Sequence, residues 1–162
     1  NAEKSLLLCR DSFGEALIPL LSTNLGRAVY SQEFPYNLEL NDESYGMIMI
    51  ELVERNIPNL LTGAPLMQAS EKQLPTDAVS VSCTANAQKR SGFTQLYGSI
   101  AAYPAAERIY IEVACTDGAV RVYEAFPVND SGDADPAWES ASGYLLTLPE
   151  GIEGKVSGAY IG

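Results

Sequence analysis

Arg10-Asp11-Ser12-Phe13-Gly14 sets a serine where the apolar run Leu6 to Leu8 ends and a helically spaced run begins. A serine so placed is a candidate acyl-transfer nucleophile. In a strand–turn–helix context its hydroxyl stands at the carboxyl edge of a parallel sheet, where open α/β sheets bind ligands. The first N–H groups of the helix would then face a developing oxyanion. Asp-Ser is also a common helix-capping pair, so the dipeptide serves equally well as a plain cap. A serine hydroxyl needs a base to take its proton, and the chain contains no histidine. Neither Lys4 nor Lys72 has the apolar surroundings a lysine base requires. The chain by itself is therefore expected to be catalytically inert.

Other chemistry-bearing residues flank this turn. Glu51, Glu54, Arg55 and Asn56 follow the apolar run Met47 to Ile50, so some would line the same edge and others would be solvated strand ends. Arg10 would pair with Asp11 or Glu51, or with a substrate carboxylate. Phe13 borders the turn, and Asp11 suits either an orienting role or an N-terminal turn carboxylate.

Farther along, Asp130, Asp133 and Asp135 cluster, but Gly132 falls in the wrong place for a calcium loop. Acidic loops are commonly solvated. Trp138 and the tyrosines at 97, 103, 110, 123, 144 and 160 offer either a carbohydrate-stacking surface or half-buried sheet positions. Three cysteines without CxxC spacing, and no histidine, remove the usual zinc arrangements. No metal and no cofactor is expected. Period-two alternation points Cys83 inward with Val79 and Val81, and Cys115 inward with Ile109, Ile111 and Val113. A Cys83–Cys115 disulfide and two buried thiols are both open.

Two kinds of element have to position these residues. Ser5 to Cys9 reads as a short buried strand, Phe13 to Leu21 as a helix, Ala28 to Tyr30 and Met47 to Val53 as further strands, a pattern of parallel βαβ units. Polar, turn-rich sequence through Glu71-Lys72-Gln73-Leu74-Pro75 reads as a linker, placing a boundary near residue 74. Beyond it, strands are expected at Val79 to Cys83, Thr94 to Ala101, Arg108 to Cys115, Val120 to Phe126, Gly143 to Leu148 and Lys155 to Ile161. Asp117-Gly118 signals a type I′ hairpin. The fold expected is thus α/β over 1–74 followed by a small antiparallel β-sandwich or barrel over 75–162.

Composition bounds the partners. A hydrophobic content of 46% supports packed cores. The net charge of −11 is evenly spread, with five basic and ten acidic residues in 1–73, five and eleven in 74–162. With no basic stripe, nucleic acid is not expected. The apolar runs fall far short of the roughly 20 residues of a membrane-spanning helix, so no membrane contact is expected. The opening Asn1-Ala2, leading straight into an apolar strand, reads as a fragment joined at an internal boundary. The unmatched edge of a partial sheet would favour self-association, making a homo-oligomer possible.

The block Leu6-Leu7-Leu8-Cys9-Arg10-Asp11-Ser12-Phe13-Gly14-Glu15-Ala16-Leu17-Ile18-Pro19, with Met47 to Asn56, resembles the alginate O-acetyltransferase family of SGNH-hydrolase-like, DHHW-type proteins. The resemblance covers about residues 4 to 60. It implies a partial SGNH, flavodoxin-like three-layer piece and Ser12 as nucleophile. It also implies an upstream Asp-x-His block, a polysaccharide acceptor and an extracytoplasmic location. A competing reading is a non-catalytic module of a surface protein that binds carbohydrate or another protein.

Overall fold

The computed structural model describes residues 4–39, 44–104, 107–129 and 140–162. The chain divides into two compact units, Asn1–Met67 and Gln68–Gly162.

In the first unit, β1 (Ser5–Arg10), β2 (Arg27–Ser31) and β3 (Met47–Glu51) form a parallel sheet in the order β2-β1-β3. Leu6, Leu7, Leu8 and Cys9 of the central strand are buried, as expected of a strand covered on both faces. Tyr36 and Leu38 pack on Leu7 and Cys9. The segment carrying them is held by paired bonds between Tyr36, Leu38 and Leu66: Leu66 N to Tyr36 O at 2.8 Å, Leu38 N to Leu66 O at 3.0 Å. The expected helix over Phe13 to Leu21 divides into a 3₁₀ stretch, Ser12–Leu17, and one α-helical turn, α1 (Ile18–Ser22). Pro19 in its first turn suits a helix start and not the interior of a longer helix. Edge strand β3 leaves Met47, Ile48 and Ile50 exposed. No described helix is long and apolar enough to cross a membrane.

The second unit is one antiparallel sheet of β4 (Val79–Ser80), β5 (Asn86–Arg90), β6 (Phe93–Pro104), β7 (Ile109–Cys115), β8 (Val120–Val128), β9 (Ser140–Thr147) and β10 (Gly154–Ile161), in the order β4-β10-β7-β8-β9-β6-β5. Both end strands belong to a single run of chain. At its start Val79 and Ser80 pair with Ile161 and Tyr160 of β10, and Val81 N donates to Ala159 O at 2.9 Å. Farther on, Cys83 bridges Ile100, Thr84 N donates to Ser99 O at 2.9 Å, and Asn86 to Arg90 pair with Tyr97 to Phe93 of β6. One segment bonded to both edges closes the sheet into a barrel, one of the two architectures expected.

Alternation fills the barrel as period two demands. Ile109, Ile111, Val113 and Cys115 of β7 meet Tyr123, Ala125, Tyr144, Leu146, Leu96 and Ile100 in one core. Val81 and Cys83 pack against it, but Val79, paired with the last residue of β10 at the end of the sheet, is 64% exposed, contrary to expectation. Cys83 and Cys115 are free thiols, so no disulfide joins them. On the outer face of β6 and β9, Gln95 and Thr147 are buried and form a polar chain: Gln88 Nε2 donates to Gln95 Oε1, and Gln95 Nε2 to Thr147 Oγ1, each at 3.0 Å.

Two turns differ from the reading of the sequence. The β7–β8 connection has positive φ only at Gly118, with Gly118 N bonded to Cys115 O and Cys115 N to Ala119 O. It is a three-residue loop with glycine in the left-handed position, not a type I′ turn. The turn with positive φ at both central residues is Ser91-Gly92, joining β6 to a strand, β5, that its polar sequence Asn-Ala-Gln-Lys-Arg concealed. The unit boundary also falls earlier than residue 74. Ala69 N donates to Thr147 O at 2.8 Å, Glu124 N to Ser70 O at 3.3 Å and Lys72 N to Val122 O at 2.9 Å. Residues 68–72 are therefore a strap inserted between β9 and β8 where those strands splay, parallel to β9 and antiparallel to β8.

The seam of the barrel is tightest where Thr84 crosses Gly98: a β-carbon there would collide with the Thr84 carbonyl. Tyr144, fully buried, donates its hydroxyl to that carbonyl at 3.0 Å. Gly98→Ala is expected to destabilise the chain by about 2 kcal/mol through overpacking, and Tyr144→Phe by about 1 kcal/mol through an unmade buried bond, both read from urea midpoints. Burial pushes the Tyr144 hydroxyl from 10.0 up to about 12. Its contribution is present below pH 10 and is lost as the pH rises toward 12. Tyr144→Phe should therefore flatten part of the alkaline loss of stability.

Candidate functional site

Six residues expected near the catalytic turn, Arg10, Asp11, Ser12, Phe13, Glu51 and Asn56, lie together at the carboxyl ends of β1 and β3. Arg10 and Glu51 are register partners at the last paired position of the two strands. Asp11 follows as the cap of the 3₁₀ stretch that contains Ser12 and Phe13. Asn56 enters from a second 3₁₀ stretch, Glu54–Leu61.

Asp11 organises the edge. One carboxylate oxygen accepts Phe13 N at 2.8 Å. The other accepts Val53 N at 2.9 Å and Asn56 Nδ2 at 3.0 Å, while Asp11 N donates to Glu51 O at 3.3 Å. These donors, Val53 foremost, hold its carboxyl below the ordinary carboxylate range. A carboxylate with its lone pairs so engaged is a clamp between two strand ends and a poor proton acceptor. It uses up Phe13 N, and the Gly14 backbone lowers the carboxyl further. One of the N–H groups expected to face an oxyanion, that of Phe13, is thus turned onto Asp11, because a short 3₁₀ stretch brings it back to its cap.

Arg10 makes no ion pair with Asp11 or Glu51. Its Nη1 donates instead to the Asp11 carbonyl at 3.0 Å. Arg10 Nε and Glu51 Oε2 are buried without a hydrogen-bond partner among the described residues. Both side chains lie beneath Gly14, whose hypothetical β-carbon would run into Glu51 Oε2 and the Arg10 stem. Glycine at this position lets the turn close over the two side chains.

Ser12 is exposed, and its hydroxyl has no hydrogen-bond partner among the described residues. Phe13 is 56% exposed, with the Arg55 guanidinium 5.2 Å from its ring centroid. Neighbours of the turn that sequence reasoning missed are Tyr36 and Cys9. Burial raises the Tyr36 hydroxyl, and the negative charges of Asp11, Cys9 and Glu51 push it the same way. Burial, followed by Glu33, raises the Cys9 thiol, which makes it an inert packing group. Tyr36 lies in the period-two run Phe34, Tyr36, Leu38 and Leu40, an alternation that marks a one-sided extended segment and that the reading of the sequence did not use. Among the described residues, no group of three or more histidine, cysteine or acidic side chains is arranged to hold a metal. Trp138 and the aspartates at 130, 133 and 135 lie outside the described residues. Of the tyrosines offered as a stacking surface, Tyr123 and Tyr144 are buried in the barrel core, and Tyr110 is buried on the opposite face of β7.

Compared with protein-family models, with curated proteins and with solved structures, the chain has no match in any of the three.

Asp11→Ala should release the ends of β1 and β3 from one another. The expected result is faster amide exchange at Phe13 and Val53 and a lower urea midpoint at neutral pH. Because the folded pKa is depressed, the Asp11 contribution is present above its ordinary value of 3.8 and is lost as the pH falls through the lower folded value. Between about pH 5 and about pH 2 the wild-type chain should therefore lose more stability than Asp11→Ala.

Proposed function

We propose that the first unit belongs to a serine-dependent acyl-ester enzyme, an O-acyltransferase or esterase acting on cell-surface polysaccharide outside the cytoplasm. Ser12 is its nucleophile. One observation carries the reading: an exposed, unpartnered serine hydroxyl stands at the carboxyl edge of a parallel sheet, on a turn pinned to the neighbouring strand by Asp11. Edges of this kind bind ligands, and a rigid turn keeps a nucleophile in place. The resemblance of residues 4 to 60 to the alginate O-acetyltransferase family supplies the acyl chemistry and the polysaccharide acceptor.

In this reading the proton acceptor and the oxyanion donors are groups that this chain does not hold. The chain has no histidine, Asp11 is saturated, and Phe13 N is spent on it. Ser12 Oγ attacks the acyl carbon of a donor ester, the donor C–O bond breaks, and the serine proton passes through that base to the departing alcohol; an acceptor hydroxyl or water, deprotonated by the same base, then takes the acyl group and returns the proton to Oγ.

The test is fluorophosphonate labelling, read by intact mass, on this chain, on the longer protein proposed to contain it, and on that protein with Ser12→Ala. Labelling of the longer protein alone, abolished by Ser12→Ala, is the expected result. Absence of label in all three removes the enzyme reading and leaves the non-catalytic binding module.

A further inference from the structure

At the end formed by the β5–β6 turn, the β7–β8 loop and the start of β10, each strand is bonded to its neighbours except at one gap. Around that end β5 pairs with β6, β6 with β9, β9 with the strap 68–72, the strap with β8, β8 with β7 and β7 with β10. Between β10 and β5 the ladder stops. Residues 79–81 pair with 159–161, but from there the chain crosses to β6 at Cys83 and Thr84. The outer edges of β5 and of 154–158 face one another with no backbone bonds between them among the described residues.

At the Lys89 end of that gap lies a groove of about 390 Å³ lined by Lys89, Thr94, Ala114, Thr116, Glu153 and Lys155, among others. Its size falls in the range of ligand-holding clefts. Lys89 Nζ reaches across its mouth to Glu153 Oε1 at 2.5 Å and to Thr94 Oγ1 at 2.9 Å. Lys155, on the opposite wall, is exposed and makes no ion pair among the described residues.

We propose that this gap binds an extended, acidic segment of another polypeptide by strand addition between β5 and β10. The barrel itself shows what such a gap accepts. Where β8 and β9 splay, residues 68–72 enter as a strand and bond both walls, parallel to one and antiparallel to the other. The β10/β5 opening presents the same pair of unpaired edges, and edges of this kind are templates for an incoming strand. Charge selects the occupant. Lys155 offers an unpaired ammonium and Lys89 a second, shared with Glu153, on a chain whose net charge is −11. A carboxylate on the incoming strand pairs with Lys155, whereas a basic strand meets the like charge of Lys155. This site is independent of Ser12.

The experiment pans a random ten-residue peptide library on the whole chain. Selected peptides are measured by fluorescence polarisation against wild type, Lys155→Glu and the control Lys4→Glu, and their footprint is mapped by amide exchange. Acidic peptides should emerge, losing roughly tenfold in affinity on Lys155→Glu and nothing on Lys4→Glu, while slowing exchange at 86–90 and 154–158. The proposal is overturned if no peptide is selected, if the selected peptides are basic or indifferent to Lys155→Glu, or if they protect other amides. It is overturned equally if free glucuronate gives the same protection, making the groove a small-acid site. Protection that grows with the chain's own concentration, without peptide, would make the occupant a second copy and would also defeat it.

Discussion

The contact on which the second unit depends is the crossing of Thr84 over Gly98. A single run of chain can serve both edges of an antiparallel sheet only if it passes from one to the other within a few residues, with its backbone groups satisfied on the way. Thr84 meets that condition completely: its N–H donates to Ser99 O, its hydroxyl accepts Ser99 N, and its carbonyl accepts the Tyr144 hydroxyl. Gly98 supplies the room. Buried backbone groups left without partners are costly, so the barrel closes at the place where all three groups are satisfied. Tyr144 thus joins wall to core: its ring fills the apolar interior while its hydroxyl bonds the seam.

The same accounting explains the strap and the gap. A barrel of short, twisted strands cannot keep every neighbouring pair in register over its whole height. Here β8 and β9 part company below Phe126 and Leu145, and β10 and the 79–90 run part below Ala159. The first opening is filled by residues 68–72, which brings that segment into the second unit. The second carries charged side chains, Lys89, Arg90 and Lys155, as exposed edges commonly do.

In the first unit the corresponding organiser is Asp11. Three parallel strands have no hairpins to fix their ends, and a single carboxylate bonded to Phe13, Val53 and Asn56 ties the exit of β1 to the exit of β3. The position of Ser12 follows from this clamp. The clamp also limits the chemistry, since it consumes Phe13 N, a backbone donor that a free helix start would have offered.

Much of this was legible in the sequence wherever local pattern and burial agree. The run Leu6 to Cys9 is apolar throughout and became a strand buried on both faces. The alternation from Ile109 to Cys115 became the inner wall of the barrel. The gathering of Arg10, Asp11, Ser12, Glu51 and Asn56 followed from reading two parallel strands with a common carboxyl edge. Where the signal lay in polar residues the sequence was silent: β5 and the strap are as hydrophilic as loops, because strands at an edge or filling a gap owe their form to backbone bonds with distant partners. The type I′ turn at Ser91-Gly92 was passed over for the same reason, its first strand carrying no apolar pattern. By itself, then, the sequence determined the local elements and which faces are apolar, since these depend on periodicity within a few residues. Only the tertiary structure decided that the sheet closes, that residues 68–72 complete it, and that Asp11 engages the donors beside Ser12. Each of these depends on hydrogen bonds between residues far apart in the chain, which no local pattern encodes.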